Sequence, residues 1–345
     1  MDRRGNDLVL TTGFVALDVV RAADAGPPLF AAGGSCGNVS ANLACLGLRV
    51  LPIALLGADD EGHFVIDDLA SCGVRTREVE QRSGVRTPVV MHEILRHQNT
   101  DGDHRFRLTA PATGEPLPRY TSIDDDRVDR LARSDVLPRI LYFDRLTPPI
   151  LRMVVWAKAN GAVTVFEPSE IGDAMLFASV QPHVDVIKFS ADRLSATHEL
   201  VGQLENPVQV VTRGPRGLTA RAPAPGHATD WIELPAQPIG HVIDSAGAGD
   251  AVTAALIHRI AAAPTAGLPT IEIVLQGLEE GQRLAALNCA FVGARGAFRA
   301  FSPRDLHLYM SRPEGNGFAG ARPRAGMPMM HASGRDRPVL GARYG

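Results

Sequence analysis

Short uninterrupted apolar runs recur along this chain, separated by longer stretches in which apolar residues fall three or four apart. Residues 8–13, 50–56, 140–143, 162–166, 184–188 and 208–212 are such runs and read as strands. Between them, Val39, Leu43 and Leu46 share one helical face, as do Val65, Leu69 and Cys72, then Val252, Leu256 and Ile260. Leu284, Leu287 and Phe291 define the last core helix, with Asn288 off that face. Gly47 and Gly73 stop the first two helices. Apolar strands alternating with helices predict a mostly parallel sheet covered on both faces, hence an α/β fold built as a three-layer α/β/α sandwich. The pattern breaks between residue 85 and about 121. There, residues 89–95 and 105–108 flank Asp101-Gly102, a hairpin signal that predicts a small antiparallel insert. His241-Val242-Ile243 reads as a last β-like run before a Gly-rich turn. Residues 312–345 are rich in Gly, Pro, Arg and Met without periodicity and are expected to form a disordered tail.

Composition narrows the classes. At 345 residues the chain can bury a large core, as one domain over residues 1–311 with a small insert. Its 45% hydrophobic and 21% charged residues describe a soluble globular protein, expected in the cytoplasm. A net charge of −3 with 5% aromatics gives no argument for nucleic acid, and no apolar run reaches the length of a membrane span. The first residues carry no apolar core of signal-peptide length. The four cysteines lack C-x-x-C spacing, so neither a zinc site nor a disulfide framework is expected. The eleven histidines show no ligand spacing. Lysine occurs only at Lys158 and Lys188, neither after a glycine, which excludes a Walker-type phosphate loop. No G-x-G-x-x-G follows the first strand, which removes a nicotinamide dehydrogenase.

Candidate chemistry collects in the turns at strand ends. Asp244-Ser245-Ala246-Gly247-Ala248-Gly249-Asp250 leads into a helix. First-turn N–H groups of a helix lack intrahelical partners and carry partial positive charge. Gly247 and Gly249 would let an anion approach them, and Asp250 would face whatever binds. The same residues fit an ordinary Gly-rich turn with Asp as helix cap. A second Gly-rich turn, Gly33-Gly34, precedes Asn38, which reads as a cap or a ligand-facing amide. Asp18, alone in an apolar run, is either exposed on an edge strand or a carboxylate at the sheet mouth that accepts hydroxyl hydrogen bonds.

Taken together and in order, these pieces resemble the ribokinase-like (PfkB) family of carbohydrate and nucleoside kinases, from about residue 8 to 298. The resemblance rests on Gly33-Gly34 through Asn38 to Leu46-Gly47, on Gly57 to Gly62 as G-x-D-x-x-G, on Thr212-Arg213-Gly214, and on Asp244 to Asp250 as D-S-x-G-A-G-D. It implies ATP as phosphoryl donor with Mg²⁺, and a small sugar or nucleoside as acceptor. Asp250 would be the base, with Gly247, Ala248 and Gly249 as the anion hole. Asp18, Gly33, Gly34 and Asn38 would hold the sugar. Ser190, Thr212, Gly214, Gly217 and Asn288 would lie on the nucleotide side. Asp244 would stand near a monovalent cation such as K⁺. Residues 18–32 and 86–121 would form a β lid, which pairs subunits into homodimers in many members.

Two departures qualify the resemblance. Members carry N-x-x-E after the strand at 184–188, where this chain has Ser190 and Arg193; Asp192 would then supply the carboxylate near magnesium water, or Arg193 would touch phosphate. Ser35 stands where kinases of phosphorylated sugars tend to have Lys, which favours a neutral sugar or nucleoside. The readings are therefore a sugar kinase, a nucleoside kinase, and a sugar- or nucleotide-binding pseudokinase acting as a regulator.

Overall fold

The computed structural model describes residues 8–22, 27–95, 104–111, 113–192, 207–224, 227–228, 230–264, 268–312, 340 and 343–344. Its main sheet has nine strands. In spatial order, the seven parallel ones are β11 (Val208–Thr212), β10 (Val186–Ser190), β9 (Val163–Phe166), β8 (Ile140–Phe143), β1 (Leu8–Thr12), β4 (Arg49–Gly57) and β5 (Val79–Arg82). Leu218–Arg221 and Ile232–Leu234 extend the β11 edge antiparallel. Alternate residues of each strand enter opposite cores. Val9, Ile140, Tyr142, Val186 and Val208 face one layer with α1 (Gly34–Cys45), α2 (Asp60–Ser71), α6 (Ala248–Ala262) and α7 (Ile271–Cys289). Leu10, Leu141, Phe143, Ile187 and Val211 face the other, with α3 (Asp125–Ala132), α4 (Pro148–Ala159) and α5 (Ala174–Val180). The sandwich is thus the three-layer one that the alternating pattern predicts.

A separate four-stranded sheet stands off this body, in the order β3 (Leu29–Gly33), β2 (Ala16–Ala22), β6 (Val89–Ile94), β7 (His104–Arg107). Its outer pairings are antiparallel, but β2 and β6 run parallel. The insert is therefore not a free hairpin: β2 and β3, which leave the main sheet after β1, complete it. The Asp101-Gly102 turn lies outside the described residues. Arg295 anchors the root of this sheet, donating from Nη2 to the Ala32 carbonyl at 2.7 Å and to Asp68 at 2.5 Å.

Three further expectations change. Residues 241–243 form no strand; Ile243 and Asp244 N–H instead donate to the Cys289 carbonyl at 2.7 and 3.2 Å. The 284–291 helix is not the last core element, since Leu306 and Met310 of Pro303–Met310 are buried behind it. Most of the 312–345 tail lies outside the described residues, but Leu340 and Tyr344 are buried, so disorder does not hold at the chain's end.

Candidate active site

Two of the turns named from the sequence, Gly33-Gly34 to Asn38 and Asp244 to Asp250, meet through a side-chain hydrogen bond; ligands of parallel sheets bind beyond the carboxyl ends of their strands. Gly247, at φ +72°, is the turn that starts α6, and a Cβ there would overlap the Ala294 backbone. The helix begins without a side-chain cap, and Gly249 in its first turn is exposed. Asp244 braces this loop: Oδ1 accepts from Ala246 N–H at 2.9 Å and Oδ2 from Gly293 N–H at 2.8 Å.

Asp250 lies one residue further, half-buried. Asn38 Nδ2, on α1, donates to its Oδ2 at 2.8 Å, joining two motifs 212 residues apart. The other end of that amide, Asn38 Oδ1, is buried with no hydrogen-bond partner. A buried acceptor left open beside a carboxylate is what a hydroxyl-bearing ligand would satisfy. Asp18, on β2, is 7% exposed and rests over Gly33, where any Cβ would overlap its carboxylate. Burial pushes its carboxyl up to about 6, against the opposing pull of His92, Arg295 and the Gly34 N–H. The exposed-edge alternative for Asp18 is thereby set aside.

Several expected residues have other tasks. Asn288 is 0% exposed, and its amide is spent inside the protein. Its Nδ2 donates to the Ala246 and Ala294 carbonyls at 3.2 and 3.1 Å, while Oδ1 accepts from Ala297 N–H at 3.1 Å. It braces the loop from within, with its amide engaged by the protein's own backbone. Thr212 and Ser190 end neighbouring strands, and Gly214 and Gly217 take positive φ in the turn after Thr212. Asp192 is exposed in the turn after β10; Arg193 lies outside the described residues.

Other groups were not legible in the sequence. Asp144, directly after β8, accepts from Phe14 N–H at 2.7 Å and Cys36 N–H at 3.0 Å, and burial raises its carboxyl to about 6. Glu167, directly after β9, accepts from Lys188 Nζ and from Thr253 Oγ1 at 2.5 Å. Lys188 is 1% exposed, and its ammonium would stand 3.7 Å from a Cβ on Gly249. A lysine–glutamate pair therefore lies directly beneath the anion loop. The only sequence signal was a lysine closing an apolar strand in a chain that otherwise uses arginine. The histidines also change: β6 and β7 bring His92 and His104 beside Asp244, although their spacing in sequence suggested no ligand set.

Against known proteins, the model of the pfkB family of carbohydrate kinases matches residues 13–296. The chain belongs to this family. Among curated relatives it is 26% identical over 292 residues to the bifunctional protein HldE of Stutzerimonas stutzeri, an alignment covering 82% of this chain and 56% of HldE. The chain thus spans about half the length of the curated relatives it matches. A fructokinase variant of Vibrio cholerae O395, bound to fructose, ADP and potassium, superposes with a TM-score of 0.68 at 19% identity, covering 88% of this chain and 98% of that one. Aminoimidazole riboside kinase of Salmonella enterica, bound to its riboside and an ATP analogue, gives 0.67 at 19% identity, covering 88% and 100%. At these identities the two structures establish the fold. Among the described residues, no helix is long and apolar enough to cross a membrane.

Proposed function

We propose that this pfkB-family protein transfers the terminal phosphoryl group of ATP to a hydroxymethyl group of a small sugar. The observation that supports this reading is the Asn38–Asp250 hydrogen bond beside a Gly loop without a side-chain cap, since it would set the Asp250 carboxylate toward an acceptor lying against Asn38. The sugar would lie between Asp18 and Asn38, its hydroxyls donating to the Asp18 carboxylate and the open Asn38 Oδ1. Asp250 would align the acceptor oxygen and take its proton late, as the oxygen attacks phosphorus and ADP leaves. The amides of Gly247–Asp250 would offset charge on the transferring group, with Lys188 beneath them adding to the positive field. Thr212, Gly214 and Gly217 would flank the nucleotide.

Mg²⁺ takes oxygen donors and keeps water, and is commonly held through substrate phosphates plus one or two carboxylates. Asp192, exposed after β10, would be the carboxylate that fits this pattern, reaching the ion through water. The ion would supply charge neutralisation on the phosphates. A monovalent cation at Asp244 fits less well, because the groups facing its Oδ1 are the imidazoles of His92 and His104 and not further oxygen donors. The lid sheet would close over the sugar and exclude water.

A binding-only regulator is the second reading, favoured by Ser190 and the outward Asp192 where the family pattern has N-x-x-E. An ADP-release assay over neutral sugars, sugar phosphates and nucleosides tests both readings. Release dependent on a neutral sugar supports the first; binding of sugar and ATP without release supports the second. Release only with a nucleoside would move the acceptor class.

A further inference from the structure

The lid carries a donor set that phosphoryl transfer leaves unused. His92 pairs with Phe106 across β6 and β7, and His104 is one diagonal step away on the same face, ring centroids 5.3 Å apart. That face meets the anion loop. His92 Nε2 is 3.3 Å and His104 Nδ1 3.9 Å from Asp244 Oδ1. One ligand atom from each of the three residues lies within 4.8 Å of the others, the only such set of three among the described residues. His92 is 1% exposed, and neither ring nitrogen completes a hydrogen bond. Proteins seldom leave a buried imidazole in that state.

We propose that His92, His104 and Asp244 bind a divalent transition-metal ion of the zinc class, clasping the lid sheet to the anion loop. Two imidazoles and a carboxylate suit such ions, whereas Mg²⁺ and K⁺ take oxygen ligands. Ligands about 2.0–2.1 Å from a tetrahedral ion stand roughly 3.4 Å apart, so His92 is already at that distance from Asp244 and His104 would have to draw in toward both, from separations of up to 4.8 Å. The Ala246 and Gly293 amides already fix the Asp244 carboxylate, as outer partners of metal ligands do. Three protein ligands leave a coordination position for water. Because the histidines ride on the lid and Asp244 on the main body, the set is complete only when the lid is closed. Binding of the ion and closure are therefore linked.

The test uses tag-free, full-length protein, stripped with a chelator and free of nucleotide and sugar. Zn²⁺ is titrated by calorimetry and Co²⁺ by visible absorption. The expected result is one ion per chain, a structured Co²⁺ band and a higher melting temperature with Zn²⁺. His104→Ala and His92→Gln should each weaken affinity about tenfold or more. His307→Ala, in the separate His258–His307 pair, should leave it unchanged. K⁺ or Mg²⁺ in large excess should not compete. His104 is partly exposed, so its variant is expected to fold, and circular dichroism checks this. Absence of binding, or unchanged affinity in folded variants of both lid histidines, overturns the proposal. Without nucleotide or sugar present, this outcome is separate from that of the kinase screen.

Discussion

Asp250 is where position and chemistry separate most cleanly. Asp250→Asn keeps the shape and can still accept from Asn38, but it cannot take a proton. Turnover should fall about a hundredfold or more, with ATP affinity by calorimetry nearly unchanged; joint loss of both would make Asp250 structural. Lys188 offers a sharper test. Lys188→Met leaves the partly buried Glu167 without its ammonium partner, and breaking a fully buried pair of this kind costs about 3–5 kcal/mol, an upper bound here. Adding Glu167→Gln should restore most of that stability in urea unfolding while turnover stays low. Recovery of turnover with stability would reduce the pair to packing. Asp18 sets a pH dependence. Its folded carboxyl is raised to about 6, so the protonated form is favoured by the fold. Its contribution to stability is full below the unfolded value near 4 and is lost as pH rises through 6. Sugar binding runs the other way, since ionisation makes both carboxylate oxygens strong acceptors for hydroxyl donors. The acceptor KM should drop as pH rises through 6, and Asp18→Asn should flatten that step. Asp250, Asn38 and the glycines were legible because their motifs are local in sequence. Asp144, Glu167 and Lys188 were not: Asp144 and Glu167 are single residues directly after apolar strands and Lys188 sits inside one, and their roles appear only once strands far apart in sequence lie side by side.

At the level of elements, the anion loop depends on a backbone conformation that only glycine adopts without strain. Gly247 has φ +72° and lies against Ala294; Gly161 has φ +81° with open space around it. Gly161→Ala should therefore cost only its backbone strain, about 1 kcal/mol. Gly247→Ala should also displace the loop, lowering turnover about tenfold or more, since donors must sit within ångströms of the phosphoryl oxygens. Equal effects in both variants would show that the loop tolerates movement. Periodicity made β8 to β11 and the helices between them readable. It did not reveal that β2 leaves the main sheet, because Val15 to Val20, apart from Asp18, are as apolar as a core strand. Nor did it show that β2 pairs parallel with β6, since pairing partners are chosen by tertiary packing and not by composition.

Across the whole molecule, the lid is held by two segments from the C-terminal part of the chain. Arg295, from the end of the family match, grips its root through Ala32 and Asp68. The last residues grip its strand β2, because Arg21 donates from Nη2 to the Tyr344 carbonyl at 2.5 Å. Tyr344 in turn donates its hydroxyl to Glu61 on α2 at 3.0 Å, and Arg343 donates to the same carboxylate at 2.8 Å. Glu61 is 3% exposed, so these bonds are what makes its burial tolerable. Deleting residues 340–345 would expose the apolar surface under Leu340 and Tyr344 and leave Glu61 without these donors. The loss should be about 2–4 kcal/mol in urea unfolding. Because the contact is to β2 and α2 and not to the anion loop, the acceptor KM should rise while ATP affinity holds. A truncated protein with unchanged stability and KM would show that the chain's end carries no load. A loss of stability with unchanged KM would leave it a core element independent of the lid.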